Sequence, residues 1–173
     1  EGGIASTAFA TGMAAIGSTL FALLKQGDHI ISSAFLFGNT NSLFNSFKKF
    51  GVEVSFVDTT SAEAVAAAIQ PNTRLVFTET IANPVTQVAD LKGIGELCSK
   101  HNIIYIVDNT MTSPWLFKPV TVGASLIVNS LTKFIGGHGN ALGGMLTDTG
   151  LYDWQTYPGI DDTYKKGDPA LWG

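Results

Sequence analysis

A lysine and two hydroxyl residues follow an apolar run in the second half of the chain. Residues 124–128 are largely apolar, and Ser130, Thr132 and Lys133 come soon after them. Lysine is a nucleophile only in its neutral form, which a desolvated site favours, and a neutral lysine can form a Schiff base with an aldehyde cofactor. The alternative is an ordinary lysine whose stem packs while its ammonium group reaches water. The two hydroxyls are suited to binding a phosphate.

An aspartate and an asparagine follow two other strand-like runs. Asp108 ends the apolar run at residues 103–107, where a carboxylate can hold a protonated cofactor nitrogen or a metal ion. The alternative is that Asp108 only caps the next turn. Asn83 precedes Pro84 in a turn signal, and its side-chain amide can hydrogen-bond an oxygen on a cofactor ring.

A helix start and an aromatic residue add further candidate ligand contacts. Thr11, Gly12 and Met13 open a predicted helix, whose free backbone amides and positive dipole end can hold a phosphate. Phe37 follows a strand-like run and can stack on a planar ring, although aromatic residues more often belong to the core. The sequence contains no Walker loop, no dinucleotide fingerprint and no G-x-S-x-G elbow.

Strand-like runs alternate with helical patterns along the chain, as in βαβ units. Continuous apolar strands are typical of a sheet that helices cover on both faces, so the predicted fold class is α/β with a mostly parallel sheet. In such sheets ligands bind beyond the carboxyl ends of the strands, which gives the candidate residues a common location. The predicted strands are residues 29–32, 53–57, 74–78, 103–107, 124–129 and 141–147, and the predicted helices are residues 11–26, 41–50, 61–69 and 90–100.

Composition narrows the possible functions. The net charge is −4, Arg74 is the only arginine, and the sequence shows no basic patch, so no nucleic-acid partner is predicted. The single cysteine, Cys98, cannot form a disulfide within the chain, and its apolar helical pattern indicates a buried thiol. No pair of histidines has metal-ligand spacing, so no metal site is predicted. His29 and His101 are interpreted as surface or strand-entry residues.

The uncharged stretch at residues 2–24 raises the question of a membrane segment. Its many Gly, Ser and Thr residues, and the lack of flanking basic residues, argue against a transmembrane helix or a signal peptide. We interpret it as a loop followed by a buried helix, and we expect no membrane partner. The chain begins without methionine and ends in a polar, turn-rich stretch from residue 149, so we expect it to be part of a longer subunit.

Taken in this order, the motifs resemble those of the transsulfuration enzymes, the Cys/Met-metabolism family of pyridoxal-phosphate enzymes. The resemblance covers nearly the whole chain, from the helix start at Thr11 to Lys133 and the glycine-histidine-glycine stretch at residues 136–139. It implies the large domain of the aspartate-aminotransferase-like fold, with a sheet of the seven-stranded type, over residues 1–148. Residues 149–173 would then be a tail that leads toward a C-terminal domain.

The resemblance implies two catalytic residues and two contacts to the cofactor ring. Lys133 would form the Schiff base with pyridoxal 5'-phosphate and later move protons, and Asp108 would pair with the pyridine nitrogen and keep it protonated. Asn83 would lie near the phenolic oxygen of the cofactor. Phe37 would stack on its ring.

The resemblance also implies a phosphate site. The backbone amides of Gly12 and Met13 and the hydroxyls of Ser130 and Thr132 would hold the phosphate of the cofactor. The implied cofactor-binding residues are therefore Gly12, Met13, Phe37, Asn83, Asp108, Ser130, Thr132 and Lys133.

Phe37 favours one reaction within the family. Many lyases of the family have a tyrosine at this position, and phenylalanine keeps the stacking surface but lacks the hydroxyl. The segment at residues 36–40 resembles homoserine-ester sulfhydrylases more closely. This implies γ-replacement, in which O-acetyl- or O-succinylhomoserine reacts with sulfide or a thiol to give homocysteine or cystathionine. Two alternatives stay open: γ-elimination, as in cystathionine or methionine γ-lyase, and a binding paralogue or catalytically incomplete fragment.

Finally, the resemblance implies functional residues outside the chain. In the family, an arginine that binds the substrate carboxylate lies in a C-terminal domain, and a tyrosine and an arginine in an N-terminal segment reach the cofactor phosphate of a neighbouring subunit. Arg74 begins a predicted strand, so it would lie at the wrong end of the sheet to replace the carboxylate-binding arginine. We therefore expect a cytoplasmic homotetramer with active sites shared between subunits, which acts on a small amino-acid substrate.

Overall fold

A computed structural model describes residues 1–159 of the protein, which form a seven-stranded sheet between two layers of helices. Its strands are β1 (Ala5–Phe9), β2 (His29–Ser33), β3 (Glu53–Val57), β4 (Thr73–Glu79), β5 (Ile104–Asp108), β6 (Leu126–Ser130) and β7 (Gly144–Asp148). The order across the sheet is β1-β7-β6-β5-β4-β2-β3, in which β7 is antiparallel to both neighbours and the other pairs are parallel. The predicted α/β fold with a mostly parallel, seven-stranded sheet is confirmed.

The helices connect successive strands, and three of them begin at a polar side-chain cap. They are α1 (Gly12–Leu23), α2 (Gly38–Phe47), α3 (Ala62–Ala67), α4 (Leu91–His101) and α5 (Ser113–Leu116). Thr11, Ser61 and Asp90 each accept a backbone amide from the first turn of the helix that follows, which satisfies a donor that the helix itself cannot. Ser61 and Asp90 thus begin the helices predicted at residues 61–69 and 90–100.

Two predicted helices have boundaries that differ from the structure by three residues. The first helix ends at Leu23 rather than at residue 26, because the Asp28 carboxylate accepts the Lys25 amide at 2.9 Å and holds the chain in a turn. The second helix begins earlier, at Gly38, and its last predicted residues form a separate 3-10 turn at Lys48–Phe50.

Central strand residues alternate between two apolar cores, as the period of two in a β-strand requires. Ile104 and Ile106 of β5 face α1 and α2, where Leu20 and Phe44 are fully buried. The residues between and after them, Tyr105 and Val107, face α3 and α4 together with Val65, Ile94 and the buried thiol of Cys98. Burial on both faces explains why these strands are nearly continuous apolar runs in the sequence.

The first strand was not predicted, since residues 2–10 were interpreted as a loop. Ala5–Phe9 pairs with β7 at the edge of the sheet, and its side chains are mostly exposed. An edge strand of small, exposed residues carries no apolar alternation, so only its pairing with a distant strand reveals it. Within residues 1–159, none of the helices is both long and apolar enough to cross a bilayer.

His29 is the first residue of β2, which confirms its interpretation as a strand-entry residue, but it is buried and not at the surface. Its two ring nitrogens lie 2.8 Å from the Thr73 hydroxyl and 2.9 Å from the Ser55 hydroxyl on the neighbouring strands. These partners satisfy the neutral ring away from water. Burial lowers the pKa of His29, and the Glu53 carboxylate opposes part of that shift. His101, in contrast, is exposed at the end of α4.

Residues 149–159 pack on the core although they show little periodicity. Tyr152, Trp154 and Tyr157 form a cluster of tilted rings, with Tyr152 and Trp154 centroids 5.0 Å apart. Tyr157 is buried among the residues of the α1 side, and its hydroxyl donates to the Leu23 carbonyl. The rest of the predicted tail, residues 160–173, lies outside the described residues.

Gly95 of α4 permits a close backbone contact, and its replacement tests how tightly the helix packs. A Cβ at Gly95 would lie 1.7 Å from the Val122 carbonyl oxygen, whereas a Cβ at Gly17 of α1 would meet no atom within 4 Å. We expect Gly95→Ala to destabilise the protein by about 1–3 kcal/mol or more through overpacking. Gly17→Ala should be neutral or stabilising by up to about 1 kcal/mol, because alanine favours a helix. Unfolding midpoints that are equal for the two variants would contradict this packing.

Candidate active site

The first turn of α1 presents unbonded backbone amides next to the sheet. The Thr11 hydroxyl accepts the Ala14 amide at 3.0 Å, and the Thr11 carbonyl accepts the Ala15 amide at 3.1 Å. The amides of Gly12 and Met13 come before this hydrogen-bond ladder and have no partner among residues 1–159. Together with the positive end of the helix dipole, they are suited to bind an anion.

Glycines bring this helix start against two strand ends. A Cβ at Gly12 would lie 2.8 Å from Ser130 Cβ, and a Cβ at Gly144 would lie 2.1 Å from the Thr11 carbonyl oxygen. Only glycine allows both approaches. The Ser130 side chain therefore lies beside the free amides of α1, and its hydroxyl has no hydrogen-bond partner in the described part of the chain.

The Thr132 hydroxyl is bonded to the loop that follows β6. It donates to the Gly143 carbonyl at 3.3 Å and accepts the Gly143 amide at 3.1 Å. These two bonds close the loop at residues 131–143. Thr132 can bind a phosphate only by turning its hydroxyl proton away from that carbonyl, so it is less available than Ser130.

Lys133 lies just beyond the end of β6, where its amide donates to the Ser130 carbonyl at 3.3 Å. Its side chain is exposed, and its neighbours Phe134 and Ile135 are 63% and 46% exposed. No part of the described chain covers this loop, so the expectation of a desolvated lysine stays a prediction for the intact protein. His138 of the same loop is exposed and bonds the Gly136 carbonyl at 3.0 Å.

The Asp108 carboxylate at the end of β5 has no lysine or arginine partner in the described residues. It accepts the Thr110 amide at 2.9 Å, as a turn cap does, and also a hydrogen bond from the Thr110 hydroxyl. Burial raises the pKa of Asp108, and the two bonds from Thr110 offset only part of that shift. A desolvated carboxylate without a cation favours the binding of a protonated nitrogen.

Thr110 connects two of the predicted site residues. Besides bonding Asp108, its hydroxyl accepts the Ser130 amide at 2.8 Å. The ends of β5 and β6 are thereby held together by one side chain. Thr110 had no predicted role.

Glu79 is the second carboxylate of the site and was also not predicted. It ends β4 directly beside Asp108 in the parallel register, and it is 7% exposed. Burial is the main cause that raises the pKa of Glu79 to about 7, and the Asp108 charge adds to the shift. Its carboxylate accepts the Phe37 amide at 2.8 Å and the Asn83 amide at 3.2 Å, which partly offsets the shift.

The two predicted ring contacts lie on either side of Glu79. Phe37 precedes the first residue of α2, and its side chain is 40% exposed rather than part of the core. Asn83 is half-buried, and its side-chain amide makes no hydrogen bond to the described residues. Both side chains are therefore available to a ligand.

The sheet brings all the predicted site residues to its carboxyl edge. Antiparallel pairing places the start of β7, Gly144, beside Ser130 and Phe9, so the entry to α1 is at the same edge. Asp108 and Ser130 lie on the sheet face that α1 covers, because they continue the alternation of Ile106 and Val128. The sequence signal that could have revealed Glu79 and Thr110 is their position at or just after a strand end.

Arg74 lies at the opposite edge, as predicted. Its Nε is 2.9 Å from Asp28 Oδ1 at the amino end of β4. A cavity of about 560 Å³ opens there, lined by Arg74, His101, Tyr152, Tyr157 and neighbouring residues. It shares no residue with the cluster at the carboxyl edge, so Arg74 cannot serve that cluster.

One family profile matches most of the chain. The profile of the Cys/Met metabolism PLP-dependent enzymes matches residues 1–161 of 173. The chain belongs to this family. The resemblance stated from the motifs is thereby confirmed, together with the aspartate-aminotransferase-like fold and the dependence of the family on pyridoxal 5'-phosphate.

Curated members of the family match the chain at similar identity but have different names. An L-methionine gamma-lyase of Fusobacterium nucleatum is 41% identical over 165 residues, which are 94% of this chain and 42% of that protein. An O-acetyl-L-homoserine sulfhydrylase of Corynebacterium glutamicum is 41% identical over 156 residues, which are 89% of this chain and 36% of that protein. The chain therefore spans less than half the length of these PLP-dependent relatives.

A solved member of the family has the same fold over nearly the whole chain. The O-acetylhomoserine sulfhydrylase of Wolinella succinogenes superimposes with a TM-score of 0.87 at 40% identity, and the match covers 96% of this chain and 47% of that one. The sulfhydrylases and the lyase are similarly identical to this chain, so sequence identity does not indicate which of the two reactions it favours.

The residues at the carboxyl edge fit pyridoxal phosphate. The unbonded amides of Gly12 and Met13 and the free Ser130 hydroxyl form an anion site that a Cβ at Gly12 would obstruct. Asp108, without a cationic partner, fits a pyridinium nitrogen. The exposed Lys133 amine belongs to the same edge and suits an aldehyde.

Replacement of Gly12 tests the phosphate site separately from folding. A Cβ at Gly12 would meet Ser130, and we expect Gly12→Ala to weaken pyridoxal phosphate binding about tenfold or more. Gly17→Ala lies in the same helix without a contact and should bind the cofactor like the wild type. Dissociation constants from cofactor absorbance titrations measure both, and equal values for the two variants would refute this site.

Proposed function

We propose that the intact protein is a pyridoxal-phosphate-dependent sulfhydrylase. It would exchange the ester of O-acetyl- or O-succinylhomoserine for sulfide, giving homocysteine, or for a thiol such as cysteine, giving cystathionine. The observation that carries the proposal is the position of Lys133 just past β6, three residues after Ser130, which borders the anion site at Gly12, with the Asp108 carboxylate on the neighbouring strand. The sulfhydrylase names of two relatives support it.

The phosphate of the cofactor would be held by the start of α1 and by β6. We assign this role to the amides of Gly12 and Met13 and to the Ser130 hydroxyl, which are free to donate. Thr132 would contribute after its hydroxyl proton turns away from Gly143. Backbone amides at a helix start and side-chain hydroxyls can bind a phosphate by donating hydrogen bonds, and this needs no buried positive side chain.

Three further residues would hold and orient the ring. Asp108 would pair with the pyridine nitrogen, and its desolvation makes an ion pair with a protonated ring favourable. The free Asn83 amide would bond the phenolic oxygen. Phe37 would stack on one face of the ring, since its side chain is exposed at this edge.

Lys133 would move the protons of the reaction. Bound pyridoxal phosphate supplies an electron sink for the substrate carbon atoms, and Asp108 maintains it by keeping the ring nitrogen protonated. The Lys133 amine takes the substrate Cα proton and delivers protons back, which requires it to be neutral at that step. The γ-ester leaves as a carboxylate, and sulfide takes its place at Cγ. The segments that cover the exposed loop of Lys133 must therefore come from outside residues 1–159.

The competing function is γ-elimination, which the methionine gamma-lyase relative supports. Phe37 favours replacement over elimination because its ring offers stacking but no hydroxyl that can act as an acid or base. A binding paralogue without catalysis is the non-enzymatic alternative. The cofactor contacts at Gly12 and Asp108 favour an enzyme over such a paralogue.

The exposed apolar side chains around Lys133 support a shared active site. Phe134, Leu142, Trp115 and Leu116 are 63%, 74%, 92% and 74% exposed, although they flank the proposed site or follow β5. Apolar surface of this kind is typical of subunit interfaces. We propose that the protein is a cytoplasmic homotetramer whose subunits complete one another's sites, without a nucleic-acid or membrane partner. We also propose that residues 1–148 belong to the large domain and that residues 149–173 lead toward a C-terminal domain.

Covalent labelling of Lys133 tests the cofactor assignment. Borohydride reduces a lysine–aldehyde linkage to a stable amine, and we expect mass mapping of the intact protein to place the pyridoxyl group on Lys133. Lys133→Ala should lose the label and turnover, because both the nucleophile and the proton carrier are gone. Lys118→Ala removes another exposed lysine and should keep both. Full γ-replacement activity in Lys133→Ala would sink the proposal.

Product analysis separates replacement from elimination. With O-acetylhomoserine or O-succinylhomoserine and sulfide, we expect homocysteine as the main product, and little 2-oxobutanoate or ammonia when sulfide is omitted. Phe37→Tyr should raise the 2-oxobutanoate fraction, since it restores a hydroxyl near the substrate. Abundant 2-oxobutanoate from the wild type in the presence of sulfide would instead establish the lyase function.

A further inference from the structure

Glu79 joins the two loops that carry the proposed ring contacts. Its Oε1 accepts the Phe37 amide at 2.8 Å, and its Oε2 accepts the Asn83 amide at 3.2 Å. Each carboxylate oxygen thus holds a different loop, one before α2 and one after β4. Phe37 is 40% exposed, and the Asn83 side chain makes no hydrogen bond to the described residues, so these backbone bonds contribute to setting the positions of both side chains.

We propose that Glu79 is a positioning residue, whose carboxylate holds the Phe37 and Asn83 backbones together and thereby sets both side chains against the cofactor ring. This inference rests on the proposed function only for the contacts of Phe37 and Asn83 with the cofactor. The hydrogen-bonded bridge is a property of the chain and does not require the cofactor.

A purely structural role does not explain a carboxylate at this position. Glu79 is 7% exposed and stands beside Asp108, so its ionised form is unfavourable both through desolvation and through like charge. A neutral side chain would avoid this cost. Two acceptor oxygens of one rigid group can, however, bond two amides of different loops at once, which a hydroxyl cannot do as well.

The environment of Glu79 makes the bridge sensitive to pH. The helix α2 and residues 80–89 contain no charged side chain, so the charged group that faces Glu79 is Asp108 on β5. The pKa of Glu79 is raised to about 7, so lowering the pH through this value protonates the carboxylate. One oxygen then carries a proton and is a poor acceptor, so the protonated carboxyl keeps one good acceptor, as the amide in Glu79→Gln does.

Hydrogen–deuterium exchange of the intact protein, with and without pyridoxal phosphate, tests the bridge. In Glu79→Ala we expect exchange to become about tenfold faster both at residues 35–44 and at residues 80–88, as for loss of hydrogen bonds to a charged acceptor. Glu79→Gln keeps the volume but has one acceptor oxygen, so only one segment should keep wild-type protection. As a control, Asp90→Ala removes the carboxylate that accepts the Gly93 amide. It should make exchange faster only at the start of α4.

The positioning role has its own readouts. We expect both Glu79 variants to weaken the visible circular dichroism band of the bound cofactor, whereas Asp90→Ala should leave it unchanged.

Two results would overturn the inference. Unchanged exchange in either segment of Glu79→Ala would show that no bridge exists. Faster exchange in both segments with an unchanged circular dichroism band would show that the bridge does not position the ring contacts. Failure to label Lys133 with borohydride refutes the proposed function but leaves the exchange results intact, so the two failures are distinguishable.

Discussion

The register of three parallel strands is the constraint on which the site depends. Glu79 of β4 lies beside Asp108 of β5, and Asp108 lies level with Val128, two residues before Ser130. Because side chains alternate across a sheet, a shift of one residue in either pairing would turn a carboxylate to the opposite face. The apolar residues between these strands and the helices prevent such a shift, since Ile106 and Phe77 are buried on the same face. Core packing and site geometry are therefore two consequences of one register.

Two carboxylates, Asp108 and Glu79, lie in an electrostatically unfavourable setting at the carboxyl edge of this sheet. Burial raises the pKa of Asp108 and, to about 7, that of Glu79, and neither carboxylate has a lysine or arginine partner within residues 1–159. A cation beside Asp108 would stabilise its desolvated negative charge. The Phe37 and Asn83 amides already stabilise part of the negative charge of Glu79. At the start of α1, by contrast, the backbone amides of Gly12 and Met13 lack an acceptor among the described residues. The edge of the sheet thus has complementary places for the positive ring and the negative phosphate of one ligand.

Family membership and site geometry bear on different questions. The profile match places the chain among PLP-dependent enzymes of Cys/Met metabolism, and relatives at equal identity carry sulfhydrylase and lyase names. We propose that the phenyl ring of Phe37 contributes to the choice between the two reactions. The chain spans less than half the length of these relatives, and the described residues supply the contacts that we propose for the cofactor.

The sequence by itself determined the α/β class and the order of the central strands and helices, because apolar strand runs are local signals. Its motifs gave the proposed cofactor contacts only through the family resemblance. The edge strand Ala5–Phe9 was decided by tertiary structure, since its small exposed residues acquire a strand conformation only by pairing with β7. The burial of His29 likewise depends on hydroxyls from two neighbouring strands. The roles of Thr110 and Glu79 could not be predicted for the same reason. Their partners, Ser130 and Phe37, are distant in the sequence, and only the packed sheet brings them within hydrogen-bond distance.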